Sequence, residues 1–286
     1  MSILLAAFLG LVQGLAEFLP VSSSGHLNLL QALLGVDIEH QLLFNILLHV
    51  GTLAAVAIVF WRDWIEMFAH PVKNKTLLLL FIASLPALIA KVIFSDQLDY
   101  LETHNLLLGV CFLVTGLLLM LTQWLSQRNA KKGLEKDHVG PGEAVAMGCL
   151  QAVGMLPGIS RSGSTIFGGV SARLNRETAA KFSFMMSAPA IVGGLLSEGM
   201  AVVKEGVSIG GDLPAILIGM AVAGVSGYFA IRFFLRLISR VSLNWFALYV
   251  VILGIAVIVL QAAGIISDAP GGPAANGLAA LSGLAR

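Results

Sequence analysis

Gln13-Gly-Leu-Ala-Glu-Phe-Leu-Pro-Val-Ser-Ser-Ser-Gly-His26 decides the fold, because it sets a carboxylate, a proline and three serines inside an otherwise apolar stretch. A near copy returns later as Gln151-Ala-Val-Gly-Met-Leu-Pro-Gly-Ile-Ser-Arg-Ser-Gly-Ser164. Each copy runs from a Gln through Leu-Pro to Ser-x-Ser-Gly, with one residue of slack on either side of the Leu-Pro. Paired hydrophobic segments interrupted by Gly and Pro, at corresponding places in two parts of a chain, point to a binding site inside a membrane protein. The first copy brings a carboxylate and an imidazole, the second a guanidinium, and together these suit a phosphate.

Composition supports a membrane setting. Of 286 residues, 57% are hydrophobic and 12% charged, against about 25% charged in soluble domains. A net charge of +1 gives nucleic acid no electrostatic footprint, so it is not an expected partner. The apolar N-terminus lacks the basic region of a secretory signal, since no Lys or Arg precedes Arg62. Cys111 and Cys149 lie far apart in apolar runs, and no Cys/His spacing suggests zinc.

Runs long enough to span a bilayer fall at 41–60, 76–94, 105–125, 177–197, 213–231 and 245–266. The segments 3–35 and 143–174 are broken near their middles and read as re-entrant helical hairpins, because non-helical backbone survives at membrane depth only inside protein or beside water. The expected architecture is an all-α polytopic membrane protein with six transmembrane helices and two re-entrant hairpins. Its halves are 1–125 and 143–266, joined by a cytoplasmic linker at 126–142 and followed by a disordered tail at 267–286.

Charge sets the orientation. The stretches 61–75, 126–142 and 232–244 hold ten Lys/Arg, whereas 95–104 and 198–212 hold one, Lys204. The first set is therefore expected in the cytoplasm and the second outside. Trp61, Trp64, Trp124 and Trp245 fall at the cytoplasmic ends, as an interfacial belt requires. The first hairpin then hangs from the outer face and the second from the inner face. The halves become inverted-topology repeats whose polar elbows meet near mid-membrane.

Gln13 and Glu17 are four apart and share a helix face. A charge at bilayer depth costs about 2.5–3.5 kcal/mol, so Glu17 is expected to face a cavity and act there. Pro20 ends the first half-helix, and Ser22, Ser23 and Ser24 are placed to cap the next and offer an anion site. Gly25 would let the backbone approach a ligand, with His26 in the first turn beyond. In the second copy Ser160 and Ser162 flank Arg161, with Gly163 and Thr165 following. Arg161 offers a planar donor fork for phosphate, and the competing reading is a salt bridge to Glu17. Asn45 and His49, one turn apart in the first full span, are weaker candidates for lining the cavity.

At these residues the chain resembles the undecaprenyl-diphosphatase family of membrane enzymes linked to bacitracin resistance. The family pattern is Glu/Gln-x3-Glu, then Pro-Val-Ser-Ser-x-Gly-His, and later Pro-Gly-x-Ser-Arg-Ser-x-x-Thr. Gln13 to Glu17, Pro20 to His26 and Pro157 to Thr165 match it. This chain has Gln13 where some members carry a Glu, and Tyr249-Val250 where some carry Tyr-Arg. The resemblance implies hydrolysis of undecaprenyl diphosphate to undecaprenyl phosphate and phosphate at the outer side of a bacterial plasma membrane, recycling the lipid carrier of peptidoglycan. It also implies Mg²⁺ or Ca²⁺, held chiefly by the diphosphate with Glu17 assisting.

In this reading the diphosphate sits between the elbows and its polyprenyl tail runs into the membrane lipids. Glu17, Ser23, His26 and Arg161 carry catalysis. Gln13, Ser22, Ser24, Gly25, Ser160, Ser162, Gly163 and Thr165 bind phosphate. The nucleophile is open between Ser23, His26 and water activated by Glu17. Oligomeric state is also open, with a homodimer among the options. A lipid-phosphate or anion carrier is the rival class. An acid-phosphatase-type lipid phosphatase is set aside, because its Lys-x6-Arg-Pro and later His-x3-Asp are absent.

Overall fold

The apolar runs form long helices, two of them with a proline inside (Pro86 and Pro189), whereas the two motif stretches form pairs of short ones. The computed structural model describes residues 1–34, 41–105, 107–205 and 213–266, so the tail at 267–286 lies outside the described residues. Among them the regular elements are α1 (Ile3–Phe18), α2 (Ser23–Leu34), α3 (Gln41–Val59), α4 (Trp61–Ala69), α5 (Thr76–Ile93), α6 (Ser95–Thr103), α7 (Leu108–Lys131), α8 (Pro141–Val153), α9 (Arg161–Ser171), α10 (Arg176–Glu205), α11 (Leu213–Leu237) and α12 (Asn244–Ala262). The helices α5, α7, α10, α11 and α12 each contain a stretch long and apolar enough to cross a membrane, and α3 with α4 forms a sixth candidate bent by 74°. The protein is an all-α polytopic membrane protein.

Several helices outrun their apolar stretches. The 105–125 run is a helix from Leu108 to Lys131, and the 213–231 run continues to Leu237. Hydropathy marks the edge of the lipid, whereas a helix stops where its last carbonyls find partners. For α7 that point is Gly133, at φ +62°, where the Gly133 N–H reaches Ala130 O and the Leu134 N–H reaches Asn129 O. The linker that follows is tied down, because Lys136 pairs its backbone with Arg173 O (2.8 Å) and Asn175 N (2.9 Å). The charged connection 61–75 contains α4, which turns Trp61, Ile65 and Phe68 outward and buries Met67, as an interfacial helix would.

Helices in lipid gain little from hydrophobic contact with one another, so close packing of small residues carries their association. The helix α1 lies against α11 so tightly that a Cβ on Gly10 would stand 2.2 Å from Gly219 O. The helix α8 lies the same way on α5, where a Cβ on Gly148 would stand 2.3 Å from Ala83 O. Each broken segment thus rests its first helix on a full span from the other part of the chain. Below the first break, Phe18, Phe184 and Phe234 pack at ring separations of 5.4 and 5.8 Å and fill the core.

Candidate active site

The two elbows touch. After α1, Pro20 cannot continue the helix, and Ser22 adopts φ 73°, a left-handed conformation uncommon for a side-chain-bearing residue. That turn starts α2, where the Ser22 hydroxyl accepts the Gly25 N–H at 3.3 Å and the Ser22 carbonyl accepts the His26 N–H at 3.2 Å. In the second elbow Gly158 sits at φ +90°, and Thr115 on α7 fastens it. The Thr115 hydroxyl donates to Gly158 O and accepts the Ser160 N–H, both at 2.9 Å. Ser160 then caps α9, its hydroxyl accepting the Gly163 N–H at 3.1 Å. A hydrogen bond from the Ser162 hydroxyl to Leu19 O (3.2 Å) joins the elbows, and Gly25 stands close to Gly158.

Where they meet, Glu17 is the hub. Arg161 Nη2 donates to Glu17 Oε1 at 2.5 Å, the Ser23 hydroxyl donates to Oε2 at 2.5 Å, and Gln13 Nε2 donates to Oε2 at 3.1 Å. His49 Nε2 lies 3.8 Å from the same oxygen, placing this weaker candidate at the cluster's edge. The Arg161 and Glu17 side chains are only 17% and 7% exposed, so this is a shielded ion pair. Two polar atoms here remain buried without a partner among the described residues, Arg161 Nη1 and Gln13 Oε1. Buried unsatisfied groups are rare because each costs about 1–3 kcal/mol, which makes them markers of a missing ligand or water.

His26 stands apart from this hub. Its Nδ1 meets Ser22 O at 2.7 Å, which makes Nδ1 the protonated nitrogen of the neutral ring. Its Nε2 then accepts the Tyr249 hydroxyl at 2.7 Å, and the two rings stack with centroids 5.7 Å apart. Neither nitrogen contacts Ser23.

The structure therefore gathers Gln13, Glu17, Ser23 and Arg161 into one cluster, while His26 bonds Ser22 and Tyr249 outside it. The remaining residues expected to bind phosphate serve in the scaffold. Ser22 and Ser160 cap helices, Ser162 links the elbows, and Thr165 bonds Ser183 on α10 at 2.6 Å. Gly163 spends its N–H on the Ser160 cap. Gly25 faces the Phe112 ring and Gly158. Ser24 is exposed at the first turn of α2.

Sequence reasoning missed two residues. Tyr249 enters the family pattern only through the Arg that does not follow it, and its signal is a polar tip in an otherwise apolar span. Thr115 carried the same kind of signal, a hydroxyl inside an apolar run.

A protein cage for a metal is not formed, since no cluster of three or more His, Cys, Asp or Glu suitable for an ion occurs among the described residues. The hub supplies one carboxylate, whose oxygens already serve Arg161, Ser23 and Gln13. That donor set fits only an ion that arrives with its own oxygen ligands.

Residues 6–256 match the family model described as Bacitracin resistance protein BacA. The chain belongs to this family. Within the BacA family's range of sequences, it is 43% identical to the undecaprenyl-diphosphatase of Carboxydothermus hydrogenoformans over 260 residues, covering 91% of this chain and 97% of that protein. It is 38% identical to the undecaprenyl-diphosphatase of Halothermothrix orenii over 264 residues, covering 91% and 98%. Against the undecaprenyl-diphosphatase of Bacteroides fragilis identity is 36% over 265 residues, covering 90% and 97%. The BacA match takes in both elbows and every member of the Glu17 cluster.

Proposed function

We propose that this protein hydrolyses undecaprenyl diphosphate to undecaprenyl phosphate and inorganic phosphate, recycling the lipid carrier of peptidoglycan synthesis and conferring bacitracin resistance. The observation that carries the reading is the convergence of Ser23, Glu17 and Arg161 from two broken segments 144 residues apart. A nucleophile beside a base, with a guanidinium to neutralise developing charge, is what phosphoryl transfer needs.

In the proposed mechanism the terminal phosphoryl group displaces Glu17 from Arg161 and takes the guanidinium fork, including the unpartnered Nη1. Ser23 Oγ attacks phosphorus as its proton passes to Glu17. The bridging P–O bond breaks, and its electron pair leaves on undecaprenyl phosphate. Water then attacks the phosphoserine; Glu17 returns the proton to the departing Ser23 oxygen, and the water's proton leaves on inorganic phosphate. Ser23 is favoured over His26 as nucleophile because Ser23 donates to Glu17, whereas both His26 nitrogens are engaged by Ser22 and Tyr249. Gln13 and His26 border the substrate. A Mg²⁺ or Ca²⁺ ion would enter on the diphosphate with Glu17 as its one protein carboxylate, supplying neutralisation of the phosphate charges.

Residues 1–125 and 143–266 are proposed as inverted repeats, with the α1–α11 and α8–α5 contacts as corresponding packings. The Lys/Arg distribution supports a plasma-membrane protein whose site opens outward. Phosphate release from a C15 or C55 prenyl diphosphate by purified protein tests the assignment. Release that needs Ser23, Glu17 and Arg161 supports it, and a well-folded protein that releases none would leave a carrier instead.

A further inference from the structure

A re-entrant helix leaves space beneath its tip. The helix α1 ends at Phe18, while α11 beside it continues to Leu237. The two run parallel, Gly10 against Gly219 and Gly14 against Ala223, with Phe18 level with Gly227. At 1.5 Å per residue, about 15 Å of α11 extends past the tip. Beneath it opens a groove of about 530 Å³ between Leu15 and Leu19 on one side and Phe229 and Phe233 on the other, with Arg232 and Arg236 at its far end. Through Leu15 and Phe229 it continues into a second groove of about 450 Å³ along Val225. Glu17 lies two residues from both leucines, so it faces the other side of α1, away from the groove.

The two guanidiniums lie one turn apart on an exposed face, and the ion pairs among the described residues include neither. Arg232 is held by the Tyr228 hydroxyl at 2.5 Å and lies over its ring, leaving its remaining N–H groups for another acceptor. The helix α11 contains no acid. An apolar channel that ends in two cations matches a lipid with an anionic head. From Arg236 to Val225 is about 17 Å along the helix, close to half of a hydrocarbon core of about 30 Å, which is the length of one leaflet.

We propose that this groove is a binding site for an anionic phospholipid of the leaflet at which α11 ends. One acyl chain lies along Val225, Phe229 and Leu15, and the phosphate diester sits between Arg232 and Arg236. The bound lipid fills the space under the elbow on the side of α1 opposite Glu17.

Native mass spectrometry of delipidated full-length protein titrated with phosphatidylglycerol or phosphatidylcholine tests this. One phosphatidylglycerol per monomer should be retained in preference to phosphatidylcholine. Affinity should fall about thirtyfold in Arg232→Gln/Arg236→Gln, taking about 1 kcal/mol per basic residue at a membrane surface. Arg236→Gln leaves the Arg232–Tyr228 contact in place and should lose about fivefold, and Val225→Trp should block the chain with both charges kept. All three variants should hydrolyse prenyl diphosphate at the wild-type rate in phosphatidylcholine discs. Equal retention of the two lipids, retention that survives these variants, or preference for a polyprenyl monophosphate over phosphatidylglycerol would each overturn the assignment.

Discussion

Removing one partner of the Glu17–Arg161 pair should harm folding and catalysis in separable ways. The pair bridges the two elbows at 2.5 Å with side chains 7% and 17% exposed, so either partner alone becomes a shielded, uncompensated charge. Such a loss costs about 3–5 kcal/mol, a large share of a typical stability of 5–15 kcal/mol. Glu17→Gln and Arg161→Met should each lower the unfolding midpoint sharply. The double variant, which removes both charges, should recover most of that loss and give a coupling energy of at least about 2 kcal/mol. Catalysis will not recover, because losing a donor aimed at transition-state charge costs about 10²–10³ in rate. Arg161→Lys keeps the charge but not the fork, so it should stay folded while losing a comparable factor. Thermal unfolding in detergent and phosphate release from a C15 diphosphate read the two effects separately. Additive stability losses, or a single variant retaining a tenth of wild-type turnover, would show that the pair is not the hub described above.

Ser23→Ala should abolish burst formation of a phosphoserine and reduce turnover about 10³-fold or more with little change in melting; residual turnover near wild type would point to activated water. Tyr249→Phe keeps the stacked ring but removes the hydroxyl on His26 Nε2, so a several-fold fall in kcat with an intact fold is expected, and no fall would make the contact incidental. Gly133→Ala should destabilise by about 1–2 kcal/mol at φ +62° despite open space around it, leaving kcat/KM of the folded fraction unchanged. EDTA should stop phosphate release and excess Mg²⁺ or Ca²⁺ restore it, whereas full activity in EDTA would remove the ion from the scheme.

Much of this was readable because membrane insertion constrains sequence strongly. Spans announce themselves by apolar length, and both breaks by Leu-Pro followed by Ser-x-Ser-Gly. Glu17 and Arg161 were legible as expensive charges in apolar surroundings, and their pairing as one of two readings. What stayed hidden depends on third-dimensional neighbours. No local pattern distinguishes Ser23, which reaches Glu17, from Ser22, which turns at φ 73° and caps α2. The hydroxyls of Ser160, Ser162 and Thr165 read as phosphate ligands, yet that of Ser160 caps its own helix and those of Ser162 and Thr165 bond Leu19 O and the Ser183 hydroxyl. Tyr249 sits 223 residues from His26, beyond any window in which periodicity speaks.

Joining the elbows across 144 residues also sets a timetable for biogenesis. Glu17 leaves the ribosome long before Arg161 and reaches the bilayer when no counter-ion exists. An insertion penalty of about 2.5–3.5 kcal/mol must be met in that interval by protonation, by water at the membrane surface, or by the translocon. The end of α1 therefore gains its cationic partner only late in synthesis. The contact between Glu17 and Arg161 is thus open only to a chain that has already been made through α9.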